Sequence, residues 1–183
     1  QMIKGVKDVI KLPDPIGSVF ESVKRPNGLR IEKMRVPLGA VGIIYEARPN
    51  VTIDASVLCF KSGNTVLLRG GSEAIRTNKV LVEILKMALN DVHLPSGCVE
   101  FIDTVDREAV MVMVKQEKYL DVIIPRGSQQ LIQFIQANSS VPVIAHGEGN
   151  CHVYVDRSAN LQMAEEIMFN AKVQRPSVCN AAE

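Results

Sequence analysis

Residues 41–69 read VGIIYEARPNVTIDASVLCFKSGNTVLLR, and this stretch decides the fold class. Val41-Gly42-Ile43-Ile44-Tyr45 is an apolar run of strand length, and Thr65-Val66-Leu67-Leu68-Arg69 is a second one. Between them, residues 52–61 are predicted to form a helix, which Ser62-Gly63-Asn64 ends. Continuous apolar strands separated by a helix are typical of parallel strands that are buried on both faces. The stretch therefore predicts a β-α-β unit.

The same alternation continues along the chain. Gly70-Gly71-Ser72-Glu73 opens a long predicted helix that ends near Asp91, with Leu81, Ile84, Leu85 and Ala88 on one face. Further strands are predicted at 98–102, 120–124, 143–145 and 152–155. Further helices are predicted at 107–115, from about 129, and at 159–171, where Leu161, Ala164, Met168 and Ala171 align. Repeated strand-helix units predict an open, doubly wound parallel α/β sheet of Rossmann-like type.

Residues 1–35 precede this alternation and are predicted to be a lead-in helix and a connecting segment. Met2, Val6, Val9 and Ile10 indicate an amphipathic helix that is already under way at the first residue, and two Pro-containing segments follow it. The chain ends at Ala181-Ala182-Glu183 without a capping signal. We therefore expect residues 36–183 to form one α/β domain and the chain to be a fragment of a longer enzyme.

Composition excludes several classes of protein. The 183 residues include 46% hydrophobic ones, enough for a core, and 21 basic residues are balanced by 20 acidic ones. Because charge is balanced, Trp is absent and only 4% of residues are aromatic, a nucleic-acid binder is not expected. Charge, Pro or Gly interrupts the apolar stretches well before they are long enough to span a bilayer, so a cytosolic protein is expected. The four cysteines are far apart, without a CxxC pair or a His at ligand spacing, so neither a disulfide framework nor a metal site is predicted.

Three loops at the carboxyl ends of predicted strands have the chemistry of a ligand site. They are residues 46–50, 69–73 and 125–128. Arg69-Gly70-Gly71-Ser72-Glu73 and Arg126-Gly127-Ser128 each combine a cation, glycine and a helix start, which suits a phosphate group. An ordinary turn with a solvated Arg explains each loop equally well, because neither loop contains the GxGxxG pattern.

Cys179 differs from the other three cysteines in its surroundings. Cys59 lies in an apolar predicted helix, and Cys98 and Cys151 lie at predicted strand starts, where Cys behaves as a small hydrophobe. Cys179 follows Arg175-Pro176 in polar company, where a cation and backbone N–H groups would favour a thiolate. From these residues alone, a structural cysteine and a nucleophile both remain open.

Six long segments resemble the gamma-glutamyl phosphate reductases, also called glutamate-5-semialdehyde dehydrogenases, a divergent branch of the aldehyde dehydrogenase superfamily. The segments occur in consistent order over essentially the whole chain. They are residues 36–42 (VPLGAVG), 45–52 (YEARPNVT), 61–64 (KSGN), 68–74 (LRGGSEA), 146–154 (HGEGNCHVY) and 170–181 (NAKVQRPSVCNA).

The resemblance implies an NADPH-dependent reduction of L-glutamate 5-phosphate to glutamate 5-semialdehyde, with phosphate release, in proline biosynthesis. Cys179 would be the nucleophile that forms a thioester, and the Asn50 amide and the Cys179 N–H would stabilise the oxyanion. An N-cap of the following helix is the alternative role for Asn50, and the two roles are compatible. Arg69-Gly70-Gly71-Ser72-Glu73 would hold the adenosine ribose, and Arg126-Gly127-Ser128 the pyrophosphate.

The resemblance also sets the alternatives. Hydrolytic aldehyde dehydrogenases carry a Glu base in a Glu-Leu-Gly-Gly segment, whereas this chain reads Ala145-His146-Gly147-Glu148-Gly149. This difference favours the reductase, although a register shift would let Glu148 act as the base of a hydrolytic NAD-dependent enzyme. The family continues past the nucleophile, so this chain is expected to bind NADPH weakly and to turn over poorly. The full-length protein is expected to be a homo-oligomer, with coupling to glutamate 5-kinase as a further expectation.

Overall fold

A computed structural model describes residues 2–147, 149–176, 178 and 180–183. These residues form two compact units, residues 1–145 and residues 146–183, each of which is described by itself. The division of the chain at residue 36 stays a prediction. Within the described residues, no helix combines the length and apolar character needed to cross a bilayer, and no group of His, Cys, Asp or Glu side chains could hold a metal ion.

The first unit contains a four-stranded parallel sheet. In chain order its strands are β3 (Ala40–Tyr45), β4 (Thr65–Arg69), β5 (Val99–Phe101) and β6 (Val122–Arg126), and their spatial order is β5-β4-β3-β6. The helices between them are α2 (Pro49–Lys61), α3 (Ile75–Asp91), α4 (Glu108–Met113) and α5 (Gln129–Asn138). After β3 the chain adds β4 and β5 on one side, and β6 then pairs with the other side of β3. The predicted doubly wound parallel fold is confirmed.

Both faces of the sheet are covered, as the continuous apolar strands predict. On one face Val41, Ile43 and Tyr45 pack with residues of α2 and α3, including Cys59 and Val82. On the other face the chief members are residues of β3, β6, α4 and α5: Ile44, Ile123, Val110, Met113 and Ile135. Alternate residues of β3 therefore belong to two separate cores, so this strand lies at the centre of the fold.

The amino-terminal segment contains a hairpin that the sequence analysis missed. After α1 (Met2–Lys11), β1 (Val19–Lys24) and β2 (Arg30–Met34) form an antiparallel two-stranded sheet. Gly28, at φ +88°, lies in the turn between them. All residues of both strands are exposed, so burial imposes no strict apolar alternation on them. The prediction of a mere connecting segment was wrong for this reason.

Several predicted boundaries need correction. Helix α2 begins at Pro49 rather than at residue 52, because Pro suits the first helical position. Strand β6 begins two residues later than predicted, because the N–H of Leu120 closes a turn on Gln116 O. In α3 the buried residues are Asn78, Val82 and Leu89, and Ile84 of the predicted apolar face is 53% exposed.

The second unit contains one helix, α6 (Leu161–Val173), among its described residues. Its predicted apolar face is not buried, and Leu161 is 75% exposed. The strand predicted at 152–155 was wrong, because the strand-like pairing among the described residues of this unit is a single bridge between Cys151 and Ala182. The strand predicted at 143–145, in the first unit, is likewise absent, and Val143 forms a single bridge with Ile123 there.

Burial of Cys59 on α2 leads to a testable prediction about its reactivity. Burial raises the pKa of the Cys59 thiol from an ordinary 9.0 to about 11. Because the thiolate is the reactive form, we expect Cys59 to resist alkylation at about pH 8 in the folded chain and to react after unfolding. Mass spectrometry should find the partly exposed Cys98 and Cys151 modified before Cys59. Equal modification of Cys59 in the folded chain would contradict this prediction.

The same shift gives a pH dependence of stability. The pKa of Cys59 is higher in the folded state than in the unfolded chain. Protonated Cys59 therefore makes its full contribution to the free energy of unfolding below about pH 9. This contribution should be lost progressively as the pH rises from about 9 towards 11. Urea unfolding of wild type and Cys59→Val across that range measures it, and the variant should lose less stability.

Candidate functional site

The topological switch point lies between β3 and β6, at their carboxyl ends. Tyr45 and Arg126 are register partners there, and Glu46 and Gly127 follow them. In open α/β sheets, ligands bind in the crevice at such a point, because the loops on its two sides lead to opposite faces. The structure thus brings together two of the three loops that the sequence analysis selected, residues 46–50 and 125–128.

Glu46 connects these two loops, although the residue pattern around it predicts no role for it. Its carboxylate accepts a hydrogen bond from Ser128 N at 3.0 Å and a second from Ser128 Oγ at 2.9 Å. Its own N–H donates to Arg126 O at 3.2 Å. Ser128 is also the N-cap of α5, accepting from Leu131 N at 3.4 Å. No local pattern could reveal Glu46, because its partner lies 82 residues away.

The Arg69 side chain is directed into the protein. Arg69 is 9% exposed, and its guanidinium donates to Gly70 O at 3.1 Å, to Asp106 O at 3.1 Å and to Val105 O at 3.4 Å. Its Nε is buried without a partner in the structure. Burial, and then repulsion from Arg107, lowers the pKa of Arg69, while nearby carboxylates oppose the shift. Arg69 therefore ties the end of β4 to the loop after β5.

Gly70 and Gly71 allow the backbone to pack closely at the end of β4. A Cβ on Gly70 would lie 2.3 Å from Asn78 Nδ2, and one on Gly71 would lie 2.7 Å from Glu73 Oε2. The Ser72-Glu73-Ala74 segment is a 3-10 turn that leads into α3, so the long helix starts later than predicted. This loop combines a narrow glycine backbone with a helix entry, and both features suit a phosphate-bearing ligand.

A buried polar network lies beneath Gly70. Tyr45 Oη and Thr52 Oγ1 are 2.7 Å apart, and Thr52 Oγ1 donates to Asn78 Oδ1 at 3.0 Å. Thr52 and Asn78 are fully buried, and Tyr45 is 1% exposed. Burial raises the pKa of Tyr45, and the hydrogen bond with Thr52 opposes that shift. The network joins β3, α2 and α3 directly under the loop.

Asn50 lies in the first turn of α2 and is exposed. Its Nδ2 donates to Asp54 Oδ2 at 3.0 Å, one turn further along the helix. The N-cap of α2 is Arg48, so the alternative role of Asn50 as an N-cap was wrong. The structure places Asn50 at the start of α2, just after the loop that follows β3, and its role as an oxyanion donor stays a prediction.

The second unit carries the sequence around the predicted nucleophile. Cys179 and Glu148 lie outside the described residues. An open cavity of about 400 Å³ is lined by residues of α6 and of the segment that follows it: Asn170, Ala171, Gln174, Arg175, Val178, Asn180 and Ala181. The chain then returns to α6, since Ala182 N donates to Ala171 O at 3.0 Å and Lys172 Nζ donates to Ala182 O at 3.0 Å.

Comparisons with known proteins identify the family. Residues 7–183 match the model of the aldehyde dehydrogenase family. Over its full length the chain is 57% identical to a gamma-glutamyl phosphate reductase of Caldicellulosiruptor saccharolyticus, covering 44% of that protein. It is 58% identical to one from Clostridium tetani, covering 42% of it.

A solved structure agrees with these relatives. The crystal structure of gamma-glutamyl phosphate reductase from Thermotoga maritima is 50% identical, with a TM-score of 0.92, and the match covers 100% of this chain and 44% of that one. The chain thus spans less than half the length of the relatives that it matches. It belongs to the aldehyde dehydrogenase family.

Proposed function

We propose that the full-length protein reduces L-glutamate 5-phosphate to L-glutamate 5-semialdehyde with NADPH, releasing phosphate, as a step of proline biosynthesis. The observation that carries this proposal is the identity of 57% over all 183 residues to a protein named gamma-glutamyl phosphate reductase. The proposal includes a cytosolic location, which rests on the residue composition. It also includes a homo-oligomeric state at full length and functional coupling to glutamate 5-kinase, which rest on the resemblance.

The carboxyl edge of the sheet fits a dinucleotide. Gly70, Gly71 and Gly127 let these loops pack closely on their protein neighbours. Each loop leads into a helix, whose first backbone N–H groups suit a phosphate. We assign Arg69 through Glu73 to the adenosine side and Arg126-Gly127-Ser128 to the pyrophosphate side. Arg69 would act by holding its loop, because its donors already bind main-chain oxygens. NADPH, when bound, supplies the hydride.

Cys179 performs the covalent chemistry in this proposal. Its thiolate attacks the carbonyl carbon of the acyl phosphate, and the C–O bond to phosphate breaks to leave a thioester. After hydride reaches that carbon, the alkoxide re-forms the carbonyl and expels the Cys179 thiolate, which releases the aldehyde. The Asn50 amide and the Cys179 N–H stabilise the oxyanion at both stages.

The absence of a hydrolytic base at its usual sequence position supports the reductase. Water that attacked the thioester would waste the activated acyl group. The segment 145–149 reads Ala-His-Gly-Glu-Gly, which departs from the Glu-Leu-Gly-Gly segment of hydrolytic aldehyde dehydrogenases. A hydrolytic mechanism would recruit Glu148 of this segment after a small register shift.

Phosphate dependence tests the proposed function. In a chain extended to the length of its relatives, glutamate 5-semialdehyde should reduce NADP only when inorganic phosphate is added. Glu148→Gln should keep this activity, and the 183-residue chain should show little. Phosphate-independent oxidation that is lost in Glu148→Gln would instead establish the hydrolytic reaction. Robust activity of the 183-residue chain would overturn our expectation that this length of chain turns over poorly.

A further inference from the structure

Glu46 fastens the two sides of the topological switch point. It follows the last residue of β3, and it forms hydrogen bonds with Arg126 and Ser128 of the neighbouring loop. Both carboxylate oxygens are engaged, one by the Ser128 N–H and one by the Ser128 hydroxyl. Charge-assisted hydrogen bonds of this kind are stronger than neutral ones, and the pair fixes the direction of the Ser128 N–H.

Gly127 packs directly on the Glu46 side chain. A Cβ at residue 127 would lie 2.7 Å from Glu46 Cδ and 2.9 Å from Cγ and Oε2. Position 127 therefore suits glycine because the Glu46 side chain occupies the space that a Cβ would need. The loop and the Glu46 carboxylate pack against each other.

The carboxylate also fills the amino-terminal end of α5. Ser128 Oγ accepts from Leu131 N while it donates to Glu46, so the first turn of the helix and the carboxylate share one hydroxyl. A negative charge is favourable at this end of a helix. A cofactor phosphate cannot take the Ser128 donors while Glu46 holds them, and it must use other groups of the loop.

We propose that Glu46 is a positioning residue, which holds the Arg126-Gly127-Ser128 loop in the conformation that receives the dinucleotide. The proposal rests on the proposed function, because it assigns this loop to NADPH. It differs from the opposite role of the same carboxylate, as a competitor that keeps the cofactor away from Ser128. When Glu46 is removed, a positioning role predicts a higher Kd for NADPH, whereas a competing role predicts a lower one.

A direct measurement of NADPH binding distinguishes the two roles. In the full-length protein, Glu46→Ala should raise the Kd of NADPH, measured by titration calorimetry, roughly tenfold. A tenfold change corresponds to about 1.4 kcal/mol, the scale of one hydrogen bond to a charged group. The KM for NADPH should rise with it while kcat changes little. Glu46→Gln should give an intermediate Kd, because its amide has one oxygen to accept and not two. An unchanged or lowered Kd in Glu46→Ala would overturn the proposal.

Limited proteolysis reports on the loop without any cofactor. Trypsin cleaves after Arg126, which is exposed, and cleavage there should be faster in Glu46→Ala than in wild type. Glu83→Ala, which removes an exposed carboxylate from α3, should match wild type in both cleavage and Kd. Unchanged cleavage after Arg126 in Glu46→Ala would overturn the positioning role.

The two measurements separate this proposal from the proposed function. Faster cleavage with a raised Kd supports both. Faster cleavage with an unchanged Kd overturns the link between the loop and NADPH, although the phosphate-dependent activity would still stand. Failure of the wild-type protein to bind NADPH overturns the proposed function and the cofactor role of Glu46 together.

Discussion

Replacement of Cys179 by Ala is expected to abolish phosphate-dependent reduction of NADP by the full-length protein, lowering kcat by roughly 10⁴-fold or more. The physical reason is that, in this direction, hydride leaves the thiohemiacetal that the Cys179 thiol forms with the aldehyde, and phosphate then displaces the thiolate from the resulting thioester. Neither species can form without the thiol. Cys179→Ser should be nearly as inactive, because an alcohol is a weak nucleophile at its ordinary pKa. A steady-state assay with glutamate 5-semialdehyde, phosphate and NADP measures both.

The other thiols provide the matched controls. Cys98→Ala and Cys151→Ala remove partly exposed cysteines and should keep kcat close to that of the wild type. All variants should bind NADPH with similar Kd, which separates lost chemistry from lost folding. Activity of Cys179→Ala near the wild-type level, or loss of activity in Cys98→Ala or Cys151→Ala alone, would refute the assignment of the nucleophile.

The central sheet could be predicted because its strands are buried on both faces. Val41 through Tyr45 and Thr65 through Arg69 form continuous apolar runs, and both occur as strands at nearly the predicted residues. The hairpin of β1 and β2 could not be found in the same way, since its residues are all exposed. An apolar pattern reports burial, so an unburied strand leaves only its turn as a signal.

The sequence was enough to predict which loops form the candidate site, but not which side chains contact each other there. The rule that ligands bind at the carboxyl ends of strands selected the loops after β3, β4 and β6. The direction of the Arg69 side chain depends on carbonyls at residues 105 and 106, and the role of Glu46 depends on Ser128. Such pairs are set by the packing of distant elements, which local residue patterns do not encode.

Gly70→Ala is expected to lower the free energy of unfolding by about 3 kcal/mol, the upper part of the range for overpacking a buried site. The new Cβ would lie 2.3 Å from Asn78 Nδ2 and 3.1 Å from the ring carbon and hydroxyl oxygen of Tyr45. Asn78 is held in place because its Oδ1 accepts from Thr52, which in turn pairs with Tyr45. Relief of the clash therefore breaks a hydrogen bond in a buried network, which adds to the cost.

A double-mutant cycle identifies Asn78 as the origin of the effect. Urea unfolding followed by circular dichroism should show that Gly70→Ala costs less in an Asn78→Ala background than in the wild type, because the clashing amide is gone. Gly97→Ala is the matched control: no atom lies within 4 Å of its Cβ position, so its unfolding free energy should change by less than about 0.5 kcal/mol. Additive effects of the Gly70 and Asn78 substitutions would mean that the loop after β4 does not rest on the buried network, and its closeness to Asn78 would then have no energetic consequence.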